Sequence, residues 1–194
     1  MEGPGFDAFR AAATYFVDVV ASVSSSSWDA PGLGVWTVLE TVGHASRANV
    51  IIIDYLEHPQ PPEAPDSTYW SEANIAERGR KAVATLGDDP HATVAAAADF
   101  AVAFIGRTPA DATVGSPIGT MTLSDYLPSR TAELTIHGLD IARALNLDLA
   151  PPTEALLESL AFVATISSTR KHQGVAVLLA LTGRADLPPG FSAY

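Results

Sequence analysis

Glu133 and His137 stand four residues apart in a segment patterned as a helix. That spacing places both side chains on one face, with Cβ atoms about 5–6 Å apart, so the pair can chelate one ion. His44 supplies a third candidate ligand from a second helix, whose start is marked by the capping-box pair Thr37 and Glu40. Two imidazoles and one carboxylate leave a coordination position open, which is the arrangement of a catalytic rather than a structural zinc site. The competing reading is a helix-surface pair, with Arg130, one turn before Glu133, as its salt-bridge partner. The company of these residues favours the ion. Leu134, Ile141 and Ala144 share the face of Glu133 and His137, and Ala48, Ile51 and Tyr55 share that of His44. Polar groups in apolar surroundings need partners, and one cation serves all three.

The elements that must position these residues follow from hydrophobic periodicity. Phe6, Phe9, Ala13, Phe16, Val17, Val20 and Val23 recur at three- and four-residue steps and predict a helix over about 5–23. The Ser24–Ser27 run and Pro31-Gly32-Leu33-Gly34 interrupt it, and a second helix runs from Thr37 to about Leu56. His58 to Pro65 is too rich in proline to be helical. Further helices are expected over about 71–86 and from Pro90 to Ile105, then a small hairpin or extended loop near 112–120. Thr122 opens the helix of Glu133 and His137, which Asn146 and Pro151-Pro152 close, and a helical pair from Thr153 to about Leu181 follows. Helices of this length joined by mostly short loops imply an all-α, antiparallel four-helix bundle, where metal sites are built from inward side chains on facing helices.

Composition narrows the chemistry further. The chain of 194 residues is read as one domain, 1–194. A net charge of −11 argues against nucleic acid and anionic membrane surfaces as partners. Cysteine is absent, so any thiol chemistry needs an external thiol. The start, Met1-Glu2-Gly3-Pro4-Gly5-Phe6-Asp7, lacks the charged and apolar regions of a secretory signal, and no apolar run is long enough to span a membrane. A cytoplasmic location is expected.

Other signals carry less. Ser116 is not the middle residue of a nucleophile elbow, and neither a phosphate loop nor a dinucleotide fingerprint occurs. The paired Glu-x-x-His motifs of a di-iron bundle are missing. His58 and His91 lie beside prolines in or near loops, and His172 reads as a solvated helix end.

Taken together, Trp36-Thr37 followed by Gly43-His44, Thr122-Leu123 with Asp125-Tyr126-Leu127, and Arg130, Glu133, His137-Gly138 and Asp140 resemble the DinB-like metal-binding bundles. They resemble in particular the N-terminal domain of mycothiol-dependent maleylpyruvate isomerase. The tail from Leu178 to Pro188 is also similar to the family's ending. The resemblance implies a four-helix bundle with a long crossover and metal ligands at His44, Glu133 and His137. It departs in two places. The isomerase carries a substantial C-terminal domain, of which about 175–194 would be a remnant here, and Ala45 replaces a larger apolar residue after the first histidine.

The expected activity is zinc-dependent chemistry of a low-molecular-weight thiol such as mycothiol, acting on an electrophilic small molecule as an S-transferase or isomerase-like enzyme. A cation-bound thiol is deprotonated and becomes the nucleophile. Asp140 is expected to orient an imidazole. Arg130 is expected to hold Glu133 or an anionic group of thiol or substrate. Metal-assisted hydrolysis at the same site, and a non-catalytic module that keeps the metal or a small ligand, stand as alternatives. Oligomerisation is compatible with either.

Overall fold

A computed structural model describes residues 2–60, 68–69, 71–170 and 172–193. From Pro61 onward, the proline-rich loop expected before Pro65 lies outside them. The described residues form α1 (Pro4–Ala21), α2 (Val38–Glu57), α3 (Glu72–Val83), a 3₁₀ turn (Ala84–Leu86), α4 (Pro90–Arg107), β1 (Thr113–Ser116), β2 (Gly119–Thr122), α5 (Leu123–Ala144), α6 (Thr153–Thr169) and α7 (Gly174–Leu181).

Local chemistry sets the boundaries that matter for the site. Thr37 Oγ1 accepts the Glu40 N–H and Glu40 Oε2 accepts the Thr37 N–H, so the capping box read from the sequence forms and starts α2 at Val38. Thr122 caps α5 in the same manner through the Asp125 N–H. At its far end α5 stops at Ala144, a few residues before the periodicity fades. Asn146 takes a left-handed φ of 52°, and the Leu147 N–H reaches back to the Ala142 carbonyl at 2.8 Å, closing a Schellman motif.

α1, α2, α4 and α5 make the bundle. α1 and α2 occupy opposite corners, each packed on both α4 and α5. Phe6 at the start of α1 meets Gly106 at the end of α4, while Val23 beyond α1 meets His91 at the start of α4, so these two helices run antiparallel. Phe9, Phe16, Ile52, Leu134 and Ile141 are fully buried in the shared core. α3 lies against α2, α6 covers α5 and α1, and α7 lies on α6. Of the two forms expected near 112–120, a small hairpin or an extended loop, the chain takes the hairpin, which pairs Thr113 with Thr122 through Ser116 with Gly119. It sits against Pro59, so close to its backbone that a side chain at Gly115 would overlap it.

Candidate metal centre

α2 and α5 run antiparallel along one seam. At one point His44 meets His137, with rings edge-on and centroids 5.1 Å apart, and further along Tyr55 meets Tyr126 at 5.9 Å. The two pairs are eleven positions apart along α2, or about 16 Å of helix. Glu133 projects into this stretch. Its Oε2 is 3.3 Å from His137 Nε2 and 3.8 Å from His44 Nε2, and one ligand atom from each of the three residues falls within 4.8 Å of the others.

This donor set fits a divalent ion. Tetrahedral zinc with bonds near 2.0–2.1 Å separates its ligand atoms by about 3.3 Å, so the Glu133–His137 pair is already at the required spacing and His44 needs a small inward shift. The side chains of His44, Glu133 and His137 are 19, 22 and 14% exposed, which is sheltered yet open to a small molecule.

The two histidines are held differently. His137 Nδ1 is 3.1 Å from Asp140 Oδ2, which leaves Nε2 to face Glu133. Asp140 therefore acts on the imidazole and does not touch the space between the three ligand atoms. His44 Nδ1 is buried without a hydrogen-bond partner among the described residues, and its ring lies against Trp36, centroids 4.6 Å apart. Trp36 is fixed in turn by donating Nε1–H to the Ala76 carbonyl at 3.1 Å and by lying flat over Gly79, where a Cβ would be 2.7 Å from the indole. Gly138, next to His137, admits Tyr15 in the same manner, and Gly43, next to His44, admits the α3 backbone at Ala82 and Val83. The glycines of both motifs thus set how closely neighbouring elements press on the histidines.

The surrounding charges act on these groups in opposite senses. Burial on its own pushes the Glu133 carboxyl up, but hydrogen bonds from His137 and His44 and the charge of Arg130 outweigh it and hold the group well below the usual carboxylate range. Burial pushes the His137 imidazole down, and its contacts with Asp140 and Glu133 win, raising it to about 9.

Arg130 makes no ion pair with Glu133 among the described residues. Its Nε donates to Ser129 Oγ and its guanidinium lies 5.0 Å from the centre of the Tyr126 ring, and its terminal nitrogens have no hydrogen bond or ion pair among the described residues. The sequence reading passed over Arg47, one turn beyond His44, which has no hydrogen bond or ion pair among the described residues. It lines a groove of about 590 Å³ between α2 and α3, with Arg78 and Lys81 on the opposite wall. Burial raises the phenols of Tyr55 and Tyr126, and the positive charges of Arg130 and Arg47 pull both the other way. The only sequence signal for Arg47 was its i+3 spacing from His44.

The remaining histidines stay apart. His58 is exposed and pairs with Asp54 at 3.1 Å, and His172 is exposed beyond α6. His91 lies in the first turn of α4, the helix expected from Pro90. Its Nε2 lies 3.1 Å from the Val23 carbonyl and its ring packs against Trp28, so it ties α4 to the end of α1.

A helical bundle with a His, Glu, His set facing inward from two of its helices is of the DinB-like class. The profile of the mycothiol maleylpyruvate isomerase N-terminal domain matches residues 9–142, and the chain belongs to that family. No curated protein and no solved structure gives a significant match.

Proposed function

We propose that this chain is a cytoplasmic, metal-dependent enzyme of low-molecular-weight thiol chemistry, an S-transferase or isomerase-like enzyme in which His44, Glu133 and His137 hold one divalent ion, zinc by the nature of the donors. The observation that carries the reading is the approach of the three ligand atoms to within 4.8 Å of one another from two helices. When bound, such an ion makes a ligated thiol acidic and so supplies thiolate at neutral pH. The chain has no cysteine, so the thiol comes from outside, and the family points to mycothiol. Asp140 holds His137 with Nε2 toward the ion, and Trp36 holds the His44 ring in place. Arg130 and Arg47, whose guanidinium termini have no hydrogen bond or ion pair among the described residues, suit an anionic group of the thiol or of its electrophilic substrate. Residues 1–194 act as one domain, with about 175–194 a remnant of the family's C-terminal region.

Elemental analysis of the purified protein and of its His44→Ala, Glu133→Ala and His137→Ala variants tests the site. About one ion per chain in the wild type and strong loss in each variant is expected, with His58→Ala unchanged. Equal metal content in all of them removes the assignment. For the thiol, cobalt-substituted protein should gain a thiolate charge-transfer band with mycothiol and release protons on binding. Turnover without any thiol selects metal-assisted hydrolysis on the same residues. Saturable binding without turnover selects a non-catalytic module.

A further inference from the structure

α7 is apolar all round, from Gly174 to Leu181, and none of its residues is buried. A helix of that composition belongs in an interior, yet here one side rests on α6 and the rest is open. α6 continues the same surface. Leu157, Leu160, Val175, Leu178 and Leu181 are 61, 52, 73, 62 and 74% exposed, with Leu156 and Leu179 beside them. Together these side chains present on the order of 700 Å², above the ~300–600 Å² of the largest patch on an ordinary monomer.

We propose that this face is a homodimer interface, covered by the same face of a second copy of the chain. Three observations select that occupant. The area is close to the ~800 Å² per partner of a stable interface. Residues 159–169 and 173–183 carry no charge in a chain of net charge −11, so this is the surface where two copies approach with least repulsion, whereas an anionic membrane would repel the rest of the molecule. The charges that bound the patch are self-complementary. Glu154 and Glu158 stand at the start of α6 and Arg170 at its end. A twofold axis across α6 makes the two copies of that helix antiparallel, bringing the acidic end of each to the basic end of the other.

Sedimentation equilibrium of the full chain over a concentration series tests this. The wild type should show a dimer mass, and Leu178→Glu and Leu181→Glu, both at open positions, should each raise the dissociation constant at least about tenfold while far-UV dichroism stays unchanged. A Glu158→Arg variant and an Arg170→Glu variant should each weaken the dimer, and the two changes combined should restore it. A monomer at every concentration overturns the proposal. So does a dimer untouched by both leucine variants, or a wild-type monomer that co-sediments with phosphatidylglycerol vesicles. Were one leucine variant to lose its helical signal, the charge-reversal pair decides alone.

Discussion

Asp140 and Glu133 approach opposite nitrogens of the His137 ring, at 3.1 and 3.3 Å, and this arrangement sets how the residue responds to protons. The folded-state pKa of about 9 lies above the imidazole's ordinary 6.5. In metal-free protein the charged imidazolium therefore stabilises the fold fully below about pH 6.5, and that contribution is lost as pH rises through about 9. The melting temperature of chelator-treated protein should fall over this window, and His137→Gln should flatten the decline. Metal affinity should move the other way, because the proton on Nε2 must leave before a cation is ligated. Titration of zinc at pH 6 and pH 9 checks the opposed slopes. Asp140→Asn removes the charge that braces the ring and should cost about 10–100-fold in metal affinity, less than His137→Ala. An Asp140→Asn variant with wild-type affinity would show that the contact does not position the ligand.

Within the elements, small residues matter more than their size suggests. A Cβ at Gly138 would lie 2.5 Å from Tyr15 Cε1, and the tyrosine is also held by its hydroxyl, which donates to the Leu149 carbonyl at 3.3 Å. Gly138→Ala should therefore destabilise the bundle by about 1–3 kcal/mol in urea unfolding, the range for overpacking a well-filled site. Gly79→Ala acts on chemistry instead. The methyl would displace the Trp36 indole that rests on His44, so metal affinity should drop although no ligand is altered. Isothermal titration of that variant separates the two roles, since a purely structural tryptophan would change stability and leave affinity alone. Thr37→Ala removes the cap of α2 and should cost about 0.5–2 kcal/mol. Glu40, the other half of the capping box, also pairs with Arg80 of α3 at 3.4 Å, so the cap joins α2 to the helix that supports Trp36.

At the scale of the molecule, the bundle rests on apolar packing among α1, α2, α4 and α5, and the candidate metal centre lies on one seam of it. Removing an ion from that seam leaves the buried core of Phe9, Phe16, Ile52, Leu134 and Ile141 intact. Chelation should accordingly leave the helical dichroism signal unchanged while lowering the melting temperature, because a ligand that binds only the folded state stabilises by mass action. Loss of helix on chelation would mean that the ion is structural. No helix among the described residues is long and apolar enough to cross a membrane, even though α7 is the most apolar element of the chain.

What the sequence by itself determined is what depends on residues within a turn or two of one another. The i,i+4 spacing of Glu133 and His137, the capping box at Thr37 and Glu40 and the cap at Thr122 are local, and each follows from backbone geometry that a few residues dictate. Helix ends were legible to within a few residues, and Asn146 stopped α5 as its type suggested, because a left-handed residue ends a helix whatever surrounds it. His44 was legible as a polar residue on an apolar face that needed a partner. Its approach to Glu133 across 89 positions of chain was decided by how α2 and α5 pack. Tertiary structure alone decided the rest. It brought Tyr55 of α2 against Tyr126 of α5, laid Trp36 on His44, and bound His91 to the end of α1. The physical reason is that a helix repeats every 3.6 residues and so announces its own faces, whereas which face meets which depends on side-chain volumes at the contact. Here the close approaches at Gly43, Gly79 and Gly138 set those contacts.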